Sequence, residues 1–153
     1  MKFFSMFFLS LIVIMVFITI PASAQQGCEV NITSPADVSV VPDNNKLSNQ
    51  NLFAFTVTGT VTNLGNNVVC VYQIIPGGAE WWRSGEPIGQ DMLGPNGKWS
   101  TEFASCGDKN NPHPKCQVKA VVQSRNDCPT SGSPVQSITN KVCESANYTY
   151  STR

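Results

Sequence analysis

The sequence predicts an all-β fold of two packed antiparallel sheets, tied by disulfides and preceded by an export leader. Three observations predict it. Apolar and polar residues alternate with period two in several short runs separated by turn residues. Beyond the first 24 residues, no stretch repeats apolar residues at helical spacing for three turns. Six cysteines, at positions 28, 70, 106, 116, 128 and 143, all follow a hydrophobic N-terminus. An even cysteine count in a small exported chain reads as a disulfide framework.

The leader comes first. Met1-Lys2 is a short basic start, Phe3 to Ile20 is an apolar run, Pro21 ends it, and Ala22-Ser23-Ala24 is a small-x-small cleavage site. This is the layout of a signal peptide over residues 1–24. The competing reading is an uncleaved anchor, since the run is long enough to span a bilayer. Cleavage is favoured by the Ala22-Ser23-Ala24 site and by the lack of a basic flank behind it. The mature chain then starts at Gln25. Losing Lys2 leaves nine basic against ten acidic residues, a net charge of −1. That balance, with only 13% of residues charged, argues against nucleic-acid binding, which needs a basic patch. After cleavage no membrane association is expected.

The mature elements follow in order. Val30 and Ile32 alternate with Glu29, Asn31 and Thr33. Val38 to Gln50 is polar and reads as a long loop. Phe53, Phe55, Val57, Gly59 and Val61 share one face of the next run, with Thr56, Thr58 and Thr60 on the other. Threonine and aromatic residues suit a pleated surface, and this is the clearest strand. Val68 to Ile75 is continuously apolar and reads as a central strand, stopped by Pro76-Gly77-Gly78. Trp81-Trp82-Arg83 forms a short strand. Gly94-Pro95-Asn96-Gly97 signals a turn, and Asn-Gly favours a tight hairpin. Trp99, Thr101 and Phe103 alternate with Lys98, Ser100 and Glu102, and Trp99 is expected in the core. Asp108 to Pro114 is a loop. Cys116, Val118, Ala120 and Val122 alternate with Gln117, Lys119 and Val121. A weaker run covers Val135 to Cys143.

About seven strands without intervening helices need two packed sheets to bury their apolar faces. Seven strands in roughly 100 residues is an immunoglobulin-like antiparallel sandwich. It is assigned to residues 25–143, with 144–153 as a C-terminal tail. The segments Ile32-Thr33-Ser34-Pro35-Ala36-Asp37, Thr56-Val57-Thr58-Gly59-Thr60-Val61 and Val69-Cys70-Val71-Tyr72 resemble the opening of immunoglobulin-like modules of bacterial and archaeal surface and secreted proteins. Trp82, Gly97-Lys98-Trp99-Ser100 and Val118-Lys119-Ala120-Val121 are similar to the tryptophans, G-x-W strand and final core strand of the same modules. The resemblance spans Ile32 to Val122. It departs where Val38 replaces the expected glycine, and in the six cysteines. It implies a non-catalytic sandwich outside the cell and carries over no catalytic residue.

Cys106 closes one expected strand and Cys116 opens the next, so a hairpin would pair them. The other four cysteines allow three pairings. An immunoglobulin-like order brings Cys70 near Cys128 and so favours Cys70–Cys128 with Cys28–Cys143. Zinc is disfavoured, because no C-x-x-C is present and His113 is the single histidine. Adjacent strand residues point to opposite faces. One of Trp81 and Trp82 is therefore expected inside, and the other is a candidate ligand-binding platform for a sugar or a protein partner. His113 lies in a proline-flanked loop with no accompanying nucleophile motif. A small hydrolase using His113 is the enzymatic reading, and no catalytic residue is assigned. Asp37, Asp43, Asp91, Asp108 and Asp127 fall in loops without a calcium-loop string, and turn chemistry accounts for them. No metal or other cofactor is expected. Asn31 and Asn147 begin glycosylation triplets. The expected function is a secreted or surface-associated module for envelope structure, adhesion or binding, with an unknown protein or polysaccharide partner. The alternatives are a carbohydrate-binding module using Trp81 or Trp82, and a small disulfide-stabilised effector or inhibitor acting through a loop.

Overall fold

In the computed structural model, the described residues are 27–36, 39–41, 52–74, 77–108 and 115–152. The leader, Asp37, Asp43 and His113 lie outside them. Ten strands run in chain order: β1 Glu29–Ser34, β2 Ser39–Val41, β3 Leu52–Thr62, β4 Val68–Ile74, β5 Trp81–Ile88, β6 Lys98–Asp108, β7 Cys116–Gln123, β8 Pro134–Val135, β9 Lys141–Glu144 and β10 Tyr148–Thr152. The described residues contain no α-helix, only three single 3-10 turns at Gln90–Met92, Pro95–Gly97 and Arg125–Asp127.

A small sheet has the order β1-β3-β6. A large sheet has the order β2-β10-β7-β4-β5-β8, with β9 also paired to β7. Every pairing is antiparallel except β2 with β10, which is parallel. The period-two pattern explains the layers. In β3, Phe55, Val57, Gly59 and Val61 are buried while Thr56 and Thr62 are exposed. The small sheet's buried residues (Val30, Ile32, Phe55, Val57, Val61, Trp99) pack against Val69, Val71, Ile88, Val118, Ala120, Val122 and Tyr150 of the large sheet. Gly59 sits opposite Trp99. A side chain at Gly59 would collide with the indole, so its absence lets Trp99 enter the core.

The large sheet is buried on both faces. Val68, Cys70, Tyr72 and Val121 form a second apolar cluster on its outer side, joined by Trp81, Cys128, Val135 and Ile138. Trp81 comes from β5; Cys128, Val135 and Ile138 belong to the segment between β7 and β9, the strap. This double burial is why β4 is continuously apolar (VVCVYQI).

Several expectations need correction. The Val38 to Gln50 loop contains β2. The 144–153 tail carries β10, which lies between β2 and β7 in the large sheet. From Glu144 to Tyr148 the chain advances four residues while its partners on β7, Val121 and Val118, are three apart. β9 and β10 are thus one strand interrupted by a bulge of one residue. Polar residues in the bulge break the alternation, which hid β10 from the sequence reading. Ser145 repairs the ladder: its N–H donates to the Ala120 carbonyl (2.9 Å), and its Oγ accepts the Ala120 N–H (3.0 Å).

The turn before β6 is also not a hairpin between paired strands. Asn96 and Gly97 both adopt positive φ, 58° and 69°, as Asn-Gly allows. But β5 and β6 lie in different sheets. The turn carries the chain across the sandwich, with Gly97 seated against the Val61 carbonyl, where a Cβ would collide.

Cys28 is bonded to Cys143, with Cα atoms 6.0 Å apart, and Cys70 to Cys128, at 6.2 Å. The first joins the residue before β1 to β9 and so staples one sheet to the other. The second ties the strap to β4. The hairpin expected to bring Cys106 to Cys116 is absent, because β6 and β7 belong to different sheets. Cys116 is buried and disulfide-bonded; the side chain of Cys106 lies outside the described residues.

Candidate functional site on the outer face of the large sheet

The start of β5 places three chemically distinct side chains in a row. Trp81, Trp82 and Arg83 pair with Ile74, Gln73 and Tyr72 of β4. Strand alternation sends Trp81 and Arg83 to the outer face and Trp82 to the opposite one. Trp81 is half-buried against the second cluster. Lys119 Nζ stands 5.4 Å from the centre of its ring, within cation–π range. Lys119 also pairs with Glu144 at 3.0 Å, and Glu144 with Lys141 at 2.7 Å. Those contacts hold the Glu144 carboxyl below its ordinary pKa, the hydrogen bond from Lys141 contributing most.

Trp82 keeps 36% of its surface exposed. Beside it in register, Gln73 accepts a hydrogen bond from the Tyr150 hydroxyl at 3.2 Å. That bond fixes the amide plane of Gln73 next to an exposed indole on a paired strand.

Arg83 is the residue that sequence reading passed over. In a two-layer sandwich its face would be solvent-exposed. Here the strap runs alongside it: the Arg83 N–H donates to the Ser133 carbonyl (3.2 Å) and its carbonyl accepts from the Gly132 N–H (2.8 Å). The residue is only 3% exposed. Nearby, Gln123 Nε2 donates to the Tyr72 hydroxyl and to the Asp127 carbonyl, both at 2.7 Å. Burial raises the Tyr72 pKa above its ordinary value, against the opposing effects of the Gln123 hydrogen bond and the Arg83 charge. Burial also lowers that of Arg83, against the charge of Glu86, yet a guanidinium stays a cation in proteins. Arg83 Nε, Arg83 Nη2 and Gln123 Oε1 are buried without a partner. No sequence signal marks this cluster, because the strap has no alternation from which its docking follows.

The remaining expected positions are dispersed. Asn31 is half-buried on β1 and donates to Glu29 Oε1 at 2.7 Å. Asn147 is exposed in the bulge between β9 and β10. Asp127 Oδ1 accepts from Asn140 Nδ2 at 3.1 Å, and Asp91 is exposed. Among the described residues, no three His, Cys, Asp or Glu side chains converge as metal ligands, and no helix is long and apolar enough to cross a membrane. The outer face of the small sheet carries an open groove of about 650 Å³ bordered by Thr33, Thr58, Thr60, Met92, Lys98 and Ser100.

No protein-family model matches the sequence, and no curated protein shows significant similarity to it.

Proposed function

We propose that the chain is an exported, non-catalytic immunoglobulin-like module that works by binding, in envelope structure or adhesion. The observation that carries this reading is the strand order. β1, β3 and β6 take the places of immunoglobulin strands A, B and E, while β4, β7 and β10 take those of C, F and G. β5 then corresponds to the additional strand C′. The strap, inserted between the F-like and G-like strands, is the feature such a module would not need. Export is supported by the two disulfides, which persist in oxidising compartments. Intact mass of the protein produced with its own leader, measured with and without reduction, tests the reading. Loss of residues 1–24 and no free thiols are expected, and six free thiols would overturn export.

A second reading, carbohydrate binding, is favoured by Trp82. One ring face of Trp81 is already taken by Lys119, whereas Trp82 offers an exposed indole beside the Gln73 amide. Aromatic stacking plus a fixed amide donor suits a sugar ring. Trp82→Ala should abolish retention on insoluble cellulose or chitin while Trp81→Ala retains it. No retention of the unaltered protein on any polysaccharide removes this reading.

A further inference from the structure

We infer that the guanidinium of Arg83 is a buried binding site for a small oxyanion: a carboxylate, sulfate or phosphate. The inference does not depend on what the module binds elsewhere.

Its basis is an imbalance of charge. Arg83 is 3% exposed, and two of its three nitrogens, Nε and Nη2, are buried with no acceptor. Among the described residues no carboxylate forms an ion pair with it; the ion pairs between two described residues are both centred on Glu144. Glu86, three positions along β5, is exposed. It acts on Arg83 only through space. A buried cation without a counter-charge is strongly unfavourable, and each orphaned donor adds its own desolvation cost.

The identity of the two unpartnered nitrogens points to the occupant. Nε and Nη2 form one edge of the guanidinium, and their N–H bonds run side by side. That fork matches two oxygens of one carboxylate, sulfate or phosphate. The strap borders this strand: its backbone bonds to that of Arg83 at Gly132 and Ser133, and the Cys70–Cys128 bond ties it to β4. Gly132, in the left-handed region with φ of 80°, has open space beside it.

The test is thermal unfolding of the oxidised full mature protein, titrated with sodium acetate, sulfate or phosphate against sodium chloride at equal ionic strength. At one hundred times the dissociation constant, one of the three oxyanions should raise Tm by about 5–10 °C, the rise continuing with the logarithm of its concentration. Arg83→Met, close in volume and uncharged, should abolish that rise. It should also melt at or above the unaltered protein in oxyanion-free buffer, since it removes an unpaired buried charge. Arg83→Lys, which lacks the fork, should need at least tenfold more anion for the same rise. If Arg83→Met does not fold, isothermal titration of the unaltered protein with the same salts decides, with saturable binding of one ion per chain expected. No rise in Tm beyond that in sodium chloride, or an equal response in Arg83→Met (an adventitious ion only), overturns the inference. The first of those outcomes would leave water as the partner of the guanidinium.

Discussion

On β7, Val122 points into the gap between the sheets and Val121 points the other way, and neither has any exposed surface. Val122 is covered by a second sheet whose own alternation puts Phe55, Val57 and Trp99 opposite it. Val121 is covered by a strap with one two-residue strand and one 3-10 turn. The two faces are equally dry but are closed by different means. The inner face is closed by two regular pleated surfaces, which pack without further help. The outer face is closed by irregular chain, which must be held in place by a disulfide, by backbone hydrogen bonds to Arg83 and by the Gln123 amide. Irregular cover leaves polar groups stranded more readily than sheet does, and among the described residues three of the four buried unpartnered side-chain atoms, on Arg83 and Gln123, belong to the residues beneath or beside the strap.

The largest expected effects break the two staples separately. On the chain-entropy account, removing Cys28–Cys143 (sequence separation 115) costs about 5 kcal/mol, and removing Cys70–Cys128 (separation 58) about 4 kcal/mol. These are ceilings, and urea unfolding of each double alanine variant measures them. The pattern of loss differs more than its size. Without Cys28–Cys143 the whole molecule should unfold earlier in one transition. Without Cys70–Cys128 the amides of residues 124–140 should exchange quickly while β3, β4 and β7 stay protected. Uniform loss of protection in the second variant would make the strap part of the main cooperative unit.

The two valines sharpen the same contrast at smaller scale. Val122→Ala deletes two carbons from a rigid core and is expected to cost about 2–3 kcal/mol, transfer and cavity terms together. Val121→Ala should cost about 1 kcal/mol less, because a strap can settle into the vacated space where a sheet cannot. Equal losses in chemical denaturation would show that the outer cluster is as unyielding as the inner core.

Much of this contrast was invisible in the sequence. The inner face was legible because alternation is a direct consequence of one-sided burial: Phe55, Val57, Val61, Trp99, Val118 and Val122 follow from period two alone. The continuous apolar run of β4 marked it as central, although nothing in the run says that its second face meets a strap. The outer face depends on long-range docking of residues with ordinary turn composition, so Arg83 read only as the end of a short strand begun by two tryptophans. The break in the last strand was lost for a related reason. Ser145, Ala146 and Asn147 look like a tail until Ser145 is seen bonding to both polar groups of Ala120.

That serine makes the third test. Ser145→Ala removes the hydroxyl that accepts the Ala120 N–H and leaves that donor buried, at an expected cost of about 1–3 kcal/mol. The strain falls where β9 passes into β10, so hydrogen exchange should rise at Ala120 and Tyr148 before it rises at Val69. Ser145→Thr keeps the acceptor and should recover most of the loss. Failure of threonine to do so would mean that the tight space around a residue 5% exposed, rather than the hydrogen bond, decides the position.

The smallest effect lies at the rim of the outer face. Glu144 is held below its ordinary pKa by Lys141 first and Lys119 second. A carboxyl with a depressed folded pKa stabilises fully above its unfolded value. That contribution fades as pH falls through the folded value, since the unfolded chain takes up the proton first. The pair is largely open to solvent, so screening limits it to no more than about 0.5–1 kcal/mol. Glu144→Gln should therefore lower stability slightly at neutral pH, and the difference from the unaltered protein should vanish in acid. Added salt should shrink the neutral-pH difference in the same way. A deficit that persists at low pH would assign the role of Glu144 to packing over Trp81 and Lys119 instead of charge, and would place this corner with the apolar cluster it borders.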